Sequence, residues 1–168
     1  GEGELLVVPV QMANLAAIIA NKGFYYTPHL VKSIGDKNAI RPEYTVKHNV
    51  GVESKYFDLV QDAMEAVVSQ TGGTARRARV NDIVICGKTG TVQNGDYPDH
   101  SVFIAFAPRD NPQIAIAVYV EYAGFGGTWA APISALMIEK YLKGEISNPK
   151  KEERILDFEN LYIHPKTL

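Results

Sequence analysis

This sequence of 168 residues has only one cysteine and almost no excess of charge of either sign. The single cysteine, Cys86, excludes an intramolecular disulfide framework and a cysteine-rich zinc site, but it leaves the redox compartment open. With 17 basic and 19 acidic side chains the net charge is −2, and this argues against a dedicated nucleic-acid-binding protein, which would carry a basic excess. No apolar run approaches the roughly 18 residues of a membrane span, and no signal peptide is visible.

Composition and length indicate one globular domain. Apolar residues make up 46% and charged residues 21% of the chain, which is ordinary for a globular protein that buries a sizeable core. We expect this domain to cover residues 1–143, followed by a charged, loosely held tail over residues 144–168. Because the sequence starts at Gly1 inside what already reads as structured sequence, we expect a fragment or a processed product.

Apolar residues at helical spacing predict three helices, over residues 10–21, over residues 54–69 and from about Pro132 onward. Pro9 suits the first turn of the first helix, and Gly23 stands where a left-handed cap is expected. Ser54 is the expected N-cap of the second helix. After a loop over residues 1–6 and the first helix, we predict an extended segment over residues 24–33 and a polar surface excursion over residues 34–51.

Three strands are predicted, over residues 83–93, 101–107 and 113–121. The dipeptide Asn94-Gly95 closes the first strand, and residues 108–112 are typical of a hairpin loop. The middle strand is apolar on both faces, which is typical of a central strand covered above and below. The order of elements predicts an α+β fold, in which a small antiparallel sheet of three strands carries helices on both faces.

The string Lys88-Thr89-Gly90-Thr91 is the part of the sequence that indicates chemistry most directly. One interpretation is a phosphate-binding loop, which needs Gly-x-x-x-x-Gly-Lys-Ser/Thr between a strand and a helix. The required first glycine falls on Asp82, and a turn and further strand follow the motif in place of a helix. The pattern therefore disfavours nucleotide binding.

The other interpretation is a Lys-Thr-Gly strand that binds a ligand ending in a carboxylate. Lys88 supplies a positive charge, the hydroxyl of Thr89 or Thr91 donates to the same carboxylate, and Gly90 leaves room for a peptide-like ligand. A backbone N–H, most readily that of Thr91, can point at a developing oxyanion, and the ligand can pair with the strand edge. Because side chains alternate along a strand, Lys88 and Thr89 reach one ligand only at an edge or where the strand twists.

The surroundings of this motif carry a family resemblance. The matching segments are Gly1-Glu2-Gly3-Glu4, Pro9-Val10-Gln11-Met12-Ala13-Asn14, Asn21-Lys22-Gly23, Pro28-His29-Leu30-Val31-Lys32, Thr71-Gly72-Gly73-Thr74-Ala75 and His100-Ser101-Val102-Phe103-Ile104-Ala105-Phe106-Ala107-Pro108. Together with the Lys-Thr-Gly strand they resemble the C-terminal half of penicillin-binding protein transpeptidase domains. The resemblance covers residues 1–142 and is greatest to class B enzymes of the penicillin-binding protein 2 type.

This resemblance implies part of the fold shared by penicillin-binding proteins and serine β-lactamases, and it implies a function. The intact enzyme would be a DD-transpeptidase that forms an acyl-serine from peptidoglycan stem peptides ending in D-Ala-D-Ala and passes the acyl group to a neighbouring stem. β-Lactams would trap that serine. A helix outside this chain would anchor the protein in the bacterial inner membrane, with this domain in the periplasm. No cofactor is implied, and Lys88, Thr89, Gly90 and Thr91 would bind the substrate or the β-lactam.

The family's nucleophile is missing upstream of Lys88. The chemistry uses Ser-x-x-Lys, in which the lysine is a candidate proton acceptor, together with a second motif, Ser-x-Asn. The one Ser-x-x-Lys here is Ser147-Asn148-Pro149-Lys150, downstream in the charged tail, and Ser-x-Asn does not occur. We therefore expect that the chain begins after both motifs, holds no catalytic residue and is inactive alone.

Histidines are weaker candidates. His100 is a candidate for the cleft beside the Lys-Thr-Gly strand, although a lone histidine at a strand start is more often structural. The remaining histidines, His29, His48 and His164, have no metal-ligand spacing. We therefore predict no metal site.

Three further features each have two interpretations. Arg76, Arg77 and Arg79 either bind an acidic partner or form a solvated basic turn. Cys86, inside an apolar strand, is interpreted as a buried, inert thiol. The glycine-rich residues 124–127 fail the dinucleotide-binding pattern, and they either border the mouth of the site or only connect a strand to a helix.

Two other functions stay open. One is a serine β-lactamase or a β-lactam sensor, which would use a Lys-Thr-Gly strand in the same way. The other is a non-catalytic binding or interaction module, which belongs to a different class of protein. If strands and a helix are missing, an edge strand and apolar helix faces are uncovered. We therefore also expect either that the chain self-associates or that a missing half covered these surfaces and was lost.

Overall fold

The computed structural model describes residues 4–33 and 40–157. The expectations for residues 1–3, 34–39 and 158–168 lie outside the described residues. The helices in the described part are α1 (Pro9–Ala20), α2 (Ser54–Ser69), α3 (Ala130–Lys143) and α4 (Pro149–Leu156). The strands are β1 (Phe24–Tyr25), β2 (His48–Asn49), β3 (Cys86–Asn94), β4 (Tyr97–Ala107) and β5 (Ile114–Val120), and short 3-10 turns cover Pro42–Tyr44 and Arg76–Ala78.

The first two helices lie where their apolar spacing predicts, but their caps differ from the prediction. Pro9 opens α1 as predicted. The N–H of Lys22 donates to Ile19 and that of Gly23 to Ile18, a Schellman arrangement in which Lys22 takes the left-handed C′ position, with Gly23 following at positive φ. The N-cap of α2 is Glu53 and not Ser54, which already has helical backbone in the first turn.

The segment between α1 and α2 contains less strand than the extended prediction for residues 24–33 suggests. Only Phe24–Tyr25 forms a strand, and it pairs with His48–Asn49 of the surface excursion. Pro28 has no N–H to donate to a sheet, which is consistent with the short pairing.

The main sheet has the order β3-β4-β5 and is antiparallel throughout. The central position of β4 confirms the prediction made from its two apolar faces. β3 starts at Cys86 rather than residue 83. β4 begins at Tyr97, earlier than predicted, because Asn94 pairs with Tyr97 across a tight turn.

Helices cover both faces of this sheet, as predicted. On one face Phe103, Ala105 and Ala107 of β4 pack with α3 and with Val68 of α2 in the larger apolar core. On the other face Phe106 and Cys86 pack with residues of α1 and α2. The β3 side chains alternate between the same two faces, in register with those of β4.

The last helix differs from the expected loose tail. The side chain of Asn148 caps α4 by accepting from the N–H of Lys151, and the Lys151 amine donates to the carbonyl of Arg79 at 3.1 Å. The guanidinium of Arg154 lies 5.7 Å from the Trp129 ring centroid. Charged side chains thus hold α4 onto the domain as far as the described residues extend.

None of the helices in the described ranges combines the length and apolar character needed to cross a membrane.

Candidate binding site on the Lys-Thr-Gly strand

The Lys-Thr-Gly motif lies on β3, at the edge of the three-stranded sheet. Lys88 pairs with Ile104 of β4, and Thr89 pairs with Phe103. Their side chains point to opposite faces, but no described strand pairs with the outer side of β3. The edge position is the condition under which Lys88 and Thr89 can both reach a single ligand.

Lys88 lies beside an open groove on the face of the sheet that carries α1. Its side chain is exposed, and its amine donates to the backbone carbonyl of Thr89 at 2.7 Å. The groove has a volume of about 670 Å³. It is lined by Leu5, Leu6, Val7, Pro9, Met12, Lys88, Thr89, Gly90, Thr91, Val92, Val102, Ile104, Tyr119 and Glu121. A positive charge at the rim of a mainly apolar groove suits a ligand with a carboxylate end and a peptide body.

A second groove lies on the other side of β3 and has a volume of about 480 Å³. It is lined by Gly73, Thr74, Arg76, Arg77, Thr89, Thr91, Phe125, Gly126, Gly127 and Thr128. The hydroxyls of Thr74 and Thr89 are 2.8 Å apart and hydrogen-bonded. Thr89 and Thr91 therefore border both grooves, whereas Lys88 borders only the first.

The glycine-rich connection between β5 and α3 borders this site rather than merely joining two elements. The Ser101 hydroxyl donates to the carbonyl of Phe125 and accepts from the N–H of Ala130, each at 3.0 Å. A Cβ atom on Gly126 would lie 2.5 Å from the Gly90 carbonyl oxygen. Glycine at this position lets the connection approach the backbone of the motif strand.

His100 makes structural contacts and lies outside both grooves. Its Nδ1 accepts from the backbone N–H of Tyr122 at 3.0 Å. Its ring contacts those of Tyr119 and Tyr122, with centroids 5.4 and 5.1 Å away. These contacts favour a structural role over a place in the cleft.

Ser147 is exposed, and its hydroxyl donates to the Glu139 carboxylate, a side chain that is only 2% exposed. Ser147 lines neither groove that borders β3. A serine bonded to a buried carboxylate in this position anchors the chain before α4, and it is not placed to attack a ligand on β3.

Cys86 is fully buried at the start of β3. Burial raises the pKa of its thiol to about 12, and the nearby Glu65 carboxylate adds to the effect. The thiol donates to the carbonyl of Gln61 at 3.6 Å. The thiolate is therefore strongly disfavoured.

Thr74 and the paired arginines are the part of the site that sequence reasoning does not bring together. In the sequence Thr74 belongs to the segment Thr71-Gly72-Gly73-Thr74-Ala75 that carries the family resemblance, whereas Arg76 and Arg77 form a separate basic turn with no predicted relation to the site. The turn after α2 is tight because a Cβ atom on Gly73 would lie 2.2 Å from the Val67 carbonyl oxygen. It returns these residues to β3, and the glycine pair before Thr74 is the signal that could have indicated this.

Metal coordination finds no support in the described ranges, where no three His, Cys, Asp or Glu side chains come together as a metal site.

Comparison with known proteins places this geometry in a family. The sequence profile of the penicillin binding protein transpeptidase domain matches residues 1–139. The chain is 33% identical over 160 residues to the peptidoglycan D,D-transpeptidase PbpA of Mycobacterium tuberculosis, covering 86% of this chain and 31% of that protein.

Two solved structures are also similar. Penicillin-binding protein 2 of Pseudomonas aeruginosa, in complex with WCK 5153, has a TM-score of 0.72 and 35% identity, covering 84% of this chain and 31% of that chain. Penicillin-binding protein A of M. tuberculosis, as an imipenem acyl-enzyme, has a TM-score of 0.67 and 32% identity, covering 84% of this chain and 32% of that chain.

The chain spans about a third of the length of these relatives. The matched residues 1–139 contain α1, α2, the whole three-stranded sheet with the Lys-Thr-Gly strand, and most of α3. As the resemblance in the sequence predicts, the chain belongs to the transpeptidase domain family of penicillin-binding proteins, with the class B, penicillin-binding protein 2-like members.

Proposed function

We propose that the protein containing this chain is a serine-type peptidoglycan D,D-transpeptidase that cross-links stem peptides ending in D-Ala-D-Ala and is acylated by β-lactams. The observation that carries the proposal is the edge position of β3, where Lys88, Thr89 and Thr91 border a groove. Similar proteins bear the name peptidoglycan D,D-transpeptidase, and a solved neighbour is an imipenem acyl-enzyme, which supports the assignment.

The role of this chain is to dock the substrate. The terminal carboxylate of the peptide meets the Lys88 ammonium and the hydroxyls of Thr89 and Thr91, which donate charge-assisted hydrogen bonds. The peptide lies extended along the free edge of β3 and pairs with it as an added strand. Gly90 leaves space at the middle of the motif, and the N–H of Thr91 stabilises the oxyanion that develops on the attacked carbonyl.

The nucleophile belongs to residues outside the 168 of this chain. We propose that a Ser-x-x-Lys and a Ser-x-Asn motif elsewhere in the protein supply the attacking serine and its proton acceptors. The 168 residues alone therefore neither acylate nor hydrolyse. A helix outside them anchors the protein in the bacterial inner membrane, and the domain acts on the periplasmic side.

The free β3 edge and the apolar groove beside it also predict how the isolated chain behaves. Leu5 and Leu6 are more than four-fifths exposed, at 85% and 93%, next to this groove. Unpaired strand edges and apolar patches promote association. We propose that the isolated chain self-associates, and a monodisperse monomer in sedimentation at micromolar concentration would contradict this.

The decisive test is acylation of the intact protein by a fluorescent penicillin. Lys88→Gln should slow acylation about 10- to 100-fold because it removes a charged partner of the ligand carboxylate. Lys150→Gln makes the same change in charge at an exposed site and should leave the rate unchanged. Equal rates for Lys88→Gln and the wild type would overturn the proposal.

The lifetime of the acyl-enzyme distinguishes a transpeptidase from a β-lactamase. A transpeptidase stays acylated after excess penicillin is removed, whereas a β-lactamase releases the product and recovers. Rapid hydrolysis of the penicillin by the intact protein would therefore favour the β-lactamase.

A further inference from the structure

Two arginines line the groove beside Thr89 and Thr91. Arg76 and Arg77 are exposed, and no ion pair with an acidic side chain involves either of them within the described part of the chain. Arg76 donates to the Thr71 carbonyl at 3.5 Å, which is at the limit of a useful hydrogen-bond distance. Their guanidinium groups are available to an external anion.

The third arginine of this basic turn is different. Arg79 donates through Nε to the carbonyl of Val68 at 2.9 Å and through Nη2 to the carbonyl of Ser69. It stabilises the end of α2, where carbonyl groups lack helical partners. The turn is therefore not a uniformly solvated charge run. Arg79 is structural, whereas Arg76 and Arg77 line the groove, and Arg77 also borders a neighbouring cavity that contains Glu139.

The chemistry of the groove suits an anion. Its polar side chains are two guanidinium groups and hydroxyls that include those of Thr74, Thr89 and Thr91, and no acidic side chain is among its lining residues. Arginine presents a planar set of donors that matches the two oxygens of a carboxylate. The Thr74 hydroxyl beside the arginines can complete the coordination of such a group, since the hydroxyls of Thr89 and Thr91 serve the terminal carboxylate.

Lys88 does not line this groove and supplies no positive charge to it. It lies on the opposite face of β3 and borders the other groove. The strand thus separates two sources of positive charge, with Thr89 and Thr91 between them. A ligand held at both would carry two anionic groups, one on each side of the motif strand.

We propose that Arg76 and Arg77, with Thr74, form a second anion subsite beside the Lys-Thr-Gly strand, and that it binds a side-chain carboxylate of the peptide whose terminal carboxylate lies at Lys88. This inference rests on the proposed function, because it requires the peptide to lie along β3. The site gives the enzyme a preference for acidic stem peptides over neutral ones of the same shape.

The test compares matched peptides on the intact protein by ligand-detected NMR titration. The probes are acetylated tripeptides ending in D-Ala, with D-Glu or D-Gln at the second or third position from the carboxyl end. At about 20 mM salt we expect the D-Glu peptide of at least one pair to bind about three- to fivefold more tightly, as for an exposed charge-assisted contact. The preference should fall at 0.5 M salt because the groups are exposed.

Variants assign the effect to the groove. The double change Arg76→Gln/Arg77→Gln should abolish the D-Glu preference and leave the affinity for the D-Gln peptides unchanged. Lys32→Gln/Lys150→Gln removes the same charge from two other exposed positions and should keep the preference. Arg76→Lys/Arg77→Lys keeps the charge without the planar donors and should retain part of it, which provides a second reading if the glutamine variant does not fold.

The outcomes separate the two proposals. The proposed function stands if Lys88→Gln weakens the binding of all the peptides. In that case the second subsite is overturned by either of two results: no D-Glu preference in the wild type, or a D-Glu preference that survives in Arg76→Gln/Arg77→Gln. Equal weakening of D-Glu and D-Gln peptides by the arginine variant also overturns it, because the arginines would then act on the terminal carboxylate. If Lys88→Gln has no effect on any peptide, the proposed function itself fails.

Discussion

Gly126 lies against the backbone of Gly90 at a separation that excludes a side chain. A Cβ atom at position 126 would stand 2.2 Å from the Val102 carbonyl oxygen and 2.5 Å from that of Gly90. The glycine-rich connection therefore touches the middle residue of the Lys-Thr-Gly motif through backbone alone. The shape of the site on that side depends on the absence of a Cβ atom.

Gly126→Ala should lower the free energy of unfolding by about 2–3 kcal/mol, because backbone atoms on two strands cannot move aside as a flexible side chain can. Denaturant unfolding of the chain measures this. Gly72→Ala is the matched control, since a Cβ atom at that position meets nothing within 4 Å, and it should change stability little. Equal effects of the two substitutions would contradict the close approach.

Alkylation of Cys86 should be very slow in the folded protein. The thiol is buried and its pKa is raised to about 12, so the reactive thiolate is scarce at pH 8. We expect iodoacetamide to modify the native chain at least about 100-fold more slowly than the chain in urea. Comparable rates in the two conditions would show that the thiol is accessible.

The same shift gives a pH dependence. An acid whose pKa is raised on folding keeps its proton in the native state while the unfolded state loses it. Stability therefore falls as the pH rises from about 9, the ordinary value, towards about 12. Cys86→Ala should show a flatter decline over this range than the wild type, and parallel curves would contradict the shift.

The salt bridges of Arg109 should differ in their contribution to stability. Arg109 contacts Asp62 and Glu65 of α2, and the hydrogen bond to Glu65 raises the pKa of its guanidinium. Because Glu65 is 28% exposed and Asp62 is 59% exposed, Glu65→Gln should lower the midpoint of thermal unfolding more than Asp62→Asn does. The difference should shrink in 1 M salt, and the reverse order would count against this account.

Ser147→Ala tests the one Ser-x-x-Lys of the chain. Its hydroxyl bonds to Glu139 and lines neither groove beside β3. We expect unchanged acylation of the intact protein by fluorescent penicillin, with a loss of about 1 kcal/mol in stability from the missing hydrogen bond. Loss of acylation with stability preserved would instead identify Ser147 as the nucleophile.

Local patterns account for most of the elements that place the site. The apolar spacing of α1 and α2 and the two apolar faces of β4 are properties of short segments, and short-range periodicity reports them directly. Caps are less well predicted. Lys22 rather than Gly23 takes the left-handed C′ position, while Gly23 follows at positive φ, where a Cβ atom would meet the Phe57 ring at 2.9 Å.

The charge pattern of the C-terminal segment does not predict its contacts with the rest of the domain. A loose tail is predicted over residues 144–168, but within its described part Lys151 contacts Arg79 and Arg154 contacts Trp129. Burial of Lys151 against the domain lowers its pKa. A charge pattern does not show whether its partners are solvent or distant parts of the same chain.

The sequence by itself indicated the family, through the resemblance of segments within residues 1–142 to penicillin-binding protein transpeptidase domains. It also determined the α+β class and the Lys-Thr-Gly strand, because side-chain periodicity and a short motif are encoded over a few residues. Only the tertiary structure decided that β3 is an edge, that Thr74 bonds to Thr89, and that Arg76 and Arg77 share a groove with Thr91. These relationships join residues far apart in the chain. The free energy that brings them together comes from burying both faces of β4, a property of the assembled core rather than of any one segment.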